Sequence, residues 1–180
     1  SGGVTDVIKD FENILGSTLN DTLTGDTNNN TIDGSSGNDV ISGSAGDDLL
    51  IGGPGADTMD GGSGTDTADF ASENAVTVSL NAGTATIGGV VDALTNIENI
   101  NGGVFGDTIA GNSGANVIAG GAGDDTLTGN GGADTFLYIT PGDSAGINSN
   151  STLSSTILAT DGVDKIADFV SGTDKIGISS

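Results

Sequence analysis

Residues Gly34 to Asp69 repeat every nine positions, and that period excludes most folds. Read in nines, the stretch is GSSGNDVIS, GSAGDDLLI, GGPGADTMD and GGSGTDTAD. Glycine stands first in each unit (Gly34, Gly43, Gly52, Gly61) and again fourth (Gly37, Gly46, Gly55, Gly64). Aspartate stands sixth (Asp39, Asp48, Asp57, Asp66), and an apolar residue stands eighth (Ile41, Leu50, Met59, Ala68). Two glycines in every nine residues would undo a helix. The last three residues of each unit instead suit a very short strand, with the middle side chain inward and its neighbours outward. The first six form a turn, in which glycine permits positive φ and close approach of the backbone. A low-complexity linker would not hold an aspartate and an apolar residue in fixed phase, which argues against disorder.

Each turn ends on a carboxylate set beside exposed main-chain carbonyls. Oxygen-only surroundings of this kind suit a hard cation such as Ca²⁺, which takes about 6–8 oxygen ligands. Nothing in the chain fits the start of an EF-hand loop. Composition points the same way. Only 34% of the 180 residues are apolar and 3% aromatic, too thin a core to offset chain entropy unaided. The net charge is −22, from 25 acids against 3 basic residues, so the metal-free chain should be expanded. On the order of six to eight divalent ions would cancel most of that excess, and binding would then drive folding. Cysteine and histidine are absent, which removes disulfides, thiolate chemistry, histidine–zinc sites and histidine acid–base catalysis. The charge argues against nucleic acid, anionic lipid and anionic polysaccharide as partners. No window has the apolar length of a membrane helix, so membrane insertion is not expected, and the N-terminus lacks a signal-peptide pattern.

The unit G-G-x-G-x-D-x-U-x, with U apolar, resembles the RTX (hemolysin-type calcium-binding) repeat of bacterial secreted proteins. The resemblance implies an all-β fold, a right-handed parallel β-roll in which two nonapeptides make one turn. It implies several Ca²⁺ ions as cofactors, each between repeats n and n+2. Carried onto this chain, Asp39 pairs with Asp57 and Asp48 with Asp66. It further implies type I secretion, an extracellular location and folding on extracellular Ca²⁺.

The period extends in both directions. Residues 16–69 form a first roll block. GSTLNDTLT carries Asp21 and Leu23 in phase, with Leu19 in the fourth place; GDTNNNTID carries Asn30 in the aspartate place and Asn28 in the fourth. Asparagine tolerates left-handed backbone and offers a neutral oxygen, so a turn with a weaker site is expected there. Residues 102–137 form a second block: GGVFGDTIA with Asp107, GNSGANVIA with Asn116, GGAGDDTLT with Gly120, Gly123 and Asp125, and GNGGADTFL with Asp134. The family spacing then pairs Asp21 with Asp39, Asn30 with Asp48, Asp107 with Asp125 and Asn116 with Asp134. Between the blocks, residues 70–101 read as a linker. Residues 75–80 and 84–87 alternate around Asn81-Ala82-Gly83 as a hairpin, and Leu94, Ile97 and Ile100 are expected to cap the end of a roll. Residues 1–15 read as the tail of an earlier linker in a longer array, because Phe11-Glu12-Asn13-Ile14 matches Ile97-Glu98-Asn99-Ile100. Residues 138–180 begin with a polar loop over 140–160. They end in a stretch resembling the serralysin-type C-terminal domain, where Val163, Ile166, Phe169, Ile176 and Ile178 would close the roll and Asp164 and Asp168 could join a further calcium.

These readings make the chain a non-catalytic calcium-binding module, with any enzymatic activity of a parent protein carried elsewhere. The zinc motif of serralysin-type proteases needs histidines that are absent, and no G-x-G-x-x-G or G-x-x-x-x-G-K phosphate loop occurs. The alternative is a structural segment of a calcium-dependent surface-layer protein or adhesin, with self-association or cell-surface contact in calcium. The threonine ladders at the seventh place are interrupted by Val40 and Leu49, which disfavours ice binding.

Overall fold

The computed structural model describes residues 5–7, 12–71, 74–138, 165–166, 168 and 173–178. The loop expected over 140–160, and Val163, Asp164 and Phe169, lie outside them. Each nonapeptide ends in a short strand, of three residues in all but the last, because its eighth residue is apolar and buried while its neighbours on either side are for the most part less buried. In chain order the strands are β1 (Thr5–Val7), β2 (Asn13–Leu15), β3 (Thr22–Thr24), β4 (Thr31–Asp33), β5 (Val40–Ser42), β6 (Leu49–Ile51), β7 (Thr58–Asp60) and β8 (Thr67–Asp69). They continue as β9 (Val76–Ser79), β10 (Thr84–Ile87), β11 (Val90–Thr95), β12 (Asn99–Asn101), β13 (Thr108–Ala110), β14 (Val117–Ala119), β15 (Thr126–Thr128), β16 (Thr135–Tyr138), β17 (Lys165–Ile166) and β18 (Lys175–Ile178).

Consecutive strands of the repeats fall in opposite sheets, so two nonapeptides complete one turn of a parallel β-roll. Parallel neighbours are repeats n and n+2, as in Ile41 opposite Met59 and Ile32 opposite Leu50. The eighth-place side chains stack into one continuous core that includes Ile32, Ile41, Leu50, Met59, Ile100, Ile118, Leu127 and Phe136. Each such residue contributes roughly 1.5–3 kcal/mol on burial.

The expected hairpin forms. Strands β9 and β10 pair antiparallel with Val78 opposite Ala85, and Gly83, at φ 67, closes the turn by donating its N–H to the Leu80 carbonyl at 3.2 Å. It does not cap a roll. It is spliced into one sheet, whose ten strands run β1-β3-β5-β7-β11-β10-β9-β13-β15-β17, while the other keeps eight, β18-β16-β14-β12-β8-β6-β4-β2. Leu94 lies opposite Met59, and Ile100 sits between Ala68 and Ile118. These residues therefore continue the ladder instead of covering its end. The reason is phase: Asp92-Ala93-Leu94-Thr95 and Glu98-Asn99-Ile100-Asn101 repeat the acid–x–apolar–x ending of a nonapeptide. The same holds for Ile14, opposite Ile32. At the other end β17 and β18 add parallel rungs beside β15 and β16, with Ile176 opposite Phe136.

Candidate metal-binding turns

The turns stack as the strands do. In six turns the sixth-place aspartate reaches back to the preceding rung, where its Oδ1 accepts a main-chain N–H. Asp39 accepts from Asp21 (2.8 Å), Asp48 from Asn30 (2.7 Å), Asp57 from Asp39 (2.8 Å) and Asp66 from Asp48 (2.9 Å). Asp125 accepts from Asp107 (2.8 Å) and Asp134 from Asn116 (2.9 Å). All six pairs implied by the family spacing are thus neighbours. The aspartates of the four central repeats are each 2% exposed or less.

In the central repeats glycine is needed at the first and fourth places for different reasons. Gly34, Gly43, Gly52 and Gly61 have ordinary φ, but a Cβ on any of them would collide with the carboxylate that ends its own turn. At Gly34, Gly43 and Gly61 it would also strike a carbonyl of the next rung on the same side: Gly52, Gly61 and Asn96 respectively. Gly120 likewise faces Asp125. At the fourth place, Gly37, Gly46, Gly55, Gly64 and Gly123 have φ between 113 and 158, outside what side chains accept. There the backbones of successive turns come close, with the Ser35 and Gly37 carbonyls aimed at Gly53 and Gly55. Each turn is thereby lined with main-chain oxygens.

Two kinds of turn follow. In turns 16–21, 25–30, 102–107 and 111–116 the second residue folds back on the sixth. Ser17 donates its N–H (2.6 Å) and Oγ–H (2.8 Å) to Asp21 Oδ2. Asp26 N–H reaches Asn30 Oδ1 (2.9 Å), Gly103 N–H reaches Asp107 Oδ2 (2.7 Å) and Asn112 N–H reaches Asn116 Oδ1 (2.9 Å). Asn116 also gives its Nδ2–H to the Glu98 carbonyl at 2.8 Å. These turns are closed by their own hydrogen bonds. Leu19 and Phe105 hold the fourth place in two of them without left-handed backbone. Asn28 does the same, against the expectation for it, because Asp26 Oδ1 accepts its N–H at 2.7 Å and shapes the turn.

In turns 34–39, 43–48, 52–57 and 61–66 the second residue has positive φ (Ser35 73, Ser44 78, Gly53 85, Gly62 97). The closing bond is missing there. Oδ2 of Asp39, Asp48, Asp57 and Asp66 is buried with no hydrogen-bond partner. A buried, unpaired carboxylate oxygen costs several kcal/mol. Burial accordingly raises the Asp57 carboxyl to about 6, and raises those of Asp39, Asp48, Asp66, Asp107 and Asp134 as well. Among the described residues no three carboxylates converge on one point, so an ion would draw most ligands from carbonyls. Anionic orphans in a carbonyl-lined cradle are the donor set of a hard divalent cation.

The ladder also holds residues outside the nonapeptides. Asp92 Oδ1 accepts from Asp57 (2.9 Å), Glu98 Oε2 from Asp66 (2.9 Å), Asp107 Oδ1 from Val76 (2.8 Å) and Asp174 Oδ1 from Asp134 (3.1 Å). Asp168 instead takes the N–H groups of Gly129 (2.8 Å) and Asn130 (2.6 Å).

A family model described as the RTX calcium-binding nonapeptide repeat (4 copies) matches residues 15–50, 33–68 and 101–136, together half of the 180 residues. Among solved structures, 31 chains match. One is the extracellular lipase LipA from Serratia marcescens, 18% identical with a TM-score of 0.29. That likeness covers 93% of this chain and 32% of the lipase chain, so the present chain spans about a third of it. No curated protein matches.

Proposed function

The chain belongs to the RTX calcium-binding nonapeptide-repeat family, and we propose that it is a non-catalytic module of a bacterial exported protein that folds as it takes up extracellular Ca²⁺. Calcium, as several ions, is the cofactor of such repeats. The observation that carries the folding part is the set of buried, unpartnered Oδ2 atoms of Asp39, Asp48, Asp57 and Asp66. Without a cation, folding must bury these charges among carbonyl oxygens. With one, the same oxygens become ligands.

We assign ions to the turns of Asp39, Asp48, Asp57 and Asp66, and to turn 120–125, whose Gly121 and Gly123 (φ 93 and 122) repeat their backbone. Turns closed by Ser17, Asp26, Gly103 and Asn112 need none. Extracellular modules bind Ca²⁺ at roughly 10⁻⁴–10⁻³ M, so the chain stays unfolded in a calcium-poor cytosol, suits secretion in that state, and folds outside. Any catalytic activity of a longer protein belongs to other segments.

Far-UV circular dichroism during a Ca²⁺ titration, with Mg²⁺ as control, tests this. The expected result is a cooperative coil-to-β change with Ca²⁺ alone. A spectrum that is β-rich in chelator and unmoved by Ca²⁺ overturns the reading.

A further inference from the structure

The sheet that takes in the hairpin carries an outer surface that no single repeat encodes. Strand side chains alternate, so the neighbours of a buried residue point outward. Across β10, β9, β13 and β15 the buried positions are Ala85, Val78, Ile109 and Leu127, each 1% exposed or less. One outward row, in register, is Thr86, Thr77, Thr108 and Thr126. The other is Thr84, Ser79, Ala110 and Thr128. Seven of these eight residues carry a hydroxyl. In the first block Val40 breaks the corresponding row between Thr22 and Thr58. The hairpin instead supplies Thr77, Thr84 and Thr86, where no nonapeptide stands.

The array is regular in two directions. Neighbouring strands lie about 4.8 Å apart, and outward residues two apart along a strand are separated by about 6.7 Å. Threonine is β-branched, so its χ1 is restricted and each methyl and hydroxyl keeps a fixed direction. Such a surface gives up little side-chain freedom when something docks on it. Thr77 and Thr108, at its centre, are exposed, and Thr84, Thr86, Thr126 and Thr128 are half-buried.

The surface is also uncharged, on a chain of net charge −22. None of the eight outward residues ionises, and the adjoining positions on β11, Val91 and Ala93, are apolar. Its occupant therefore has to match a neutral, ordered lattice of methyls and hydroxyls. A second copy of the chain is a poor match, because the assigned ions would leave both partners strongly negative and mutually repelling. A sugar ring has no aromatic side chain in the array to stack on. The crystal surface of water does match: its oxygens repeat in two dimensions at comparable spacings, both donate and accept hydrogen bonds, and carry no net charge.

We propose that the two threonine rows on β10, β9, β13 and β15 form an ice-binding face. Ice binding is independent of the calcium reading and needs only the folded roll. The test grows ice slowly from a solution of the whole chain in saturating CaCl₂ and measures the share of protein retained in the ice. Circular dichroism of the same sample reports the fold. Wild type is expected to be retained and to facet the growing crystals. Thr108→Tyr, between Thr77 and Thr126 in one row, should lose both effects. Thr22→Tyr, on the interrupted part of the same sheet, should keep both. Folded wild-type protein excluded from the ice overturns the proposal without need of a variant, and leaves the calcium reading standing. Equal retention of Thr108→Tyr and wild type, or equal loss in both variants, overturns the placement on this face.

Discussion

Gly46 and Gly114 hold the same place in their repeats, yet alanine should harm one and spare the other. Gly46 has φ +113, and a Cβ there would lie 2.6 Å from the Asn28 carbonyl carbon and oxygen. Backbone strain of about 1–3 kcal/mol adds to overpacking of about 1–3 kcal/mol, since the obstacle is main chain and cannot rotate away. The sum is roughly 2–6 kcal/mol, which for a chain of this length lowers the melting temperature by about 2–4 °C per kcal/mol, so about 4–24 °C. Gly114 lies in a closed turn, lacks positive φ, and its Cβ would meet only Asn112 Oδ1, a side-chain atom, at 3.1 Å. Gly114→Ala should stay within about 0.5 kcal/mol of wild type, helped by lower entropy of the unfolded chain. Thermal melts in saturating Ca²⁺ read both. Equal losses would refute the division of turns into two kinds, because the repeat alone would then set the cost.

Three further outcomes are expected. Asp48→Asn should weaken calcium binding yet raise the β signal in chelator, since it removes a buried unpaired charge that costs several kcal/mol and supplies a donor, as Asn116 Nδ2 does to the Glu98 carbonyl; a loss in both conditions would contradict this. The Asp57 carboxyl titrates at about 6 against an ordinary 3.8, so the folded metal-free chain binds more protons than the unfolded one between those values. That stability is full below the unfolded value and is lost as pH rises through 6, so dichroism in chelator should gain β signal from about pH 8 to about pH 5; a flat profile would count against it. Ile100→Ala should cost about 2–5 kcal/mol and reduce hydrogen-exchange protection at both Ala68 and Ile118, its neighbours on either side; loss on one side alone would mean the sheet does not couple the two blocks.

Where the period of nine is unbroken, the sequence was sufficient. It placed β3 to β8, β13 to β16 and the eighth-place core, because each rung is local and adds the same increment, and the family resemblance supplied the six ladder pairs. Glu98, Asp92 and Asp174 were legible only in part. Each precedes an x–apolar–x triplet, which is the signal. But they stand 32, 35 and 40 residues beyond their partners instead of 18. Periodicity cannot see a rung whose connection changes length. The difference between open and closed turns was hidden for another reason: it rests on the φ of the second residue, and serine occupies that place in both kinds, at Ser17 and at Ser35.

The two extra strands that the hairpin gives one sheet also set a direction. Between β12 and β14, which are neighbours in the eight-strand sheet, the chain's other wall must span from β11 across β10 and β9 to β13. With strands about 4.8 Å apart, that wall is longer by about 10 Å over the same stretch. Two walls of unequal length joined along a common core act like the courses of an arch, and the insert is its keystone. An array punctuated by such inserts would take its curvature from the number of strands each one adds, and the bend would always turn toward the shorter wall.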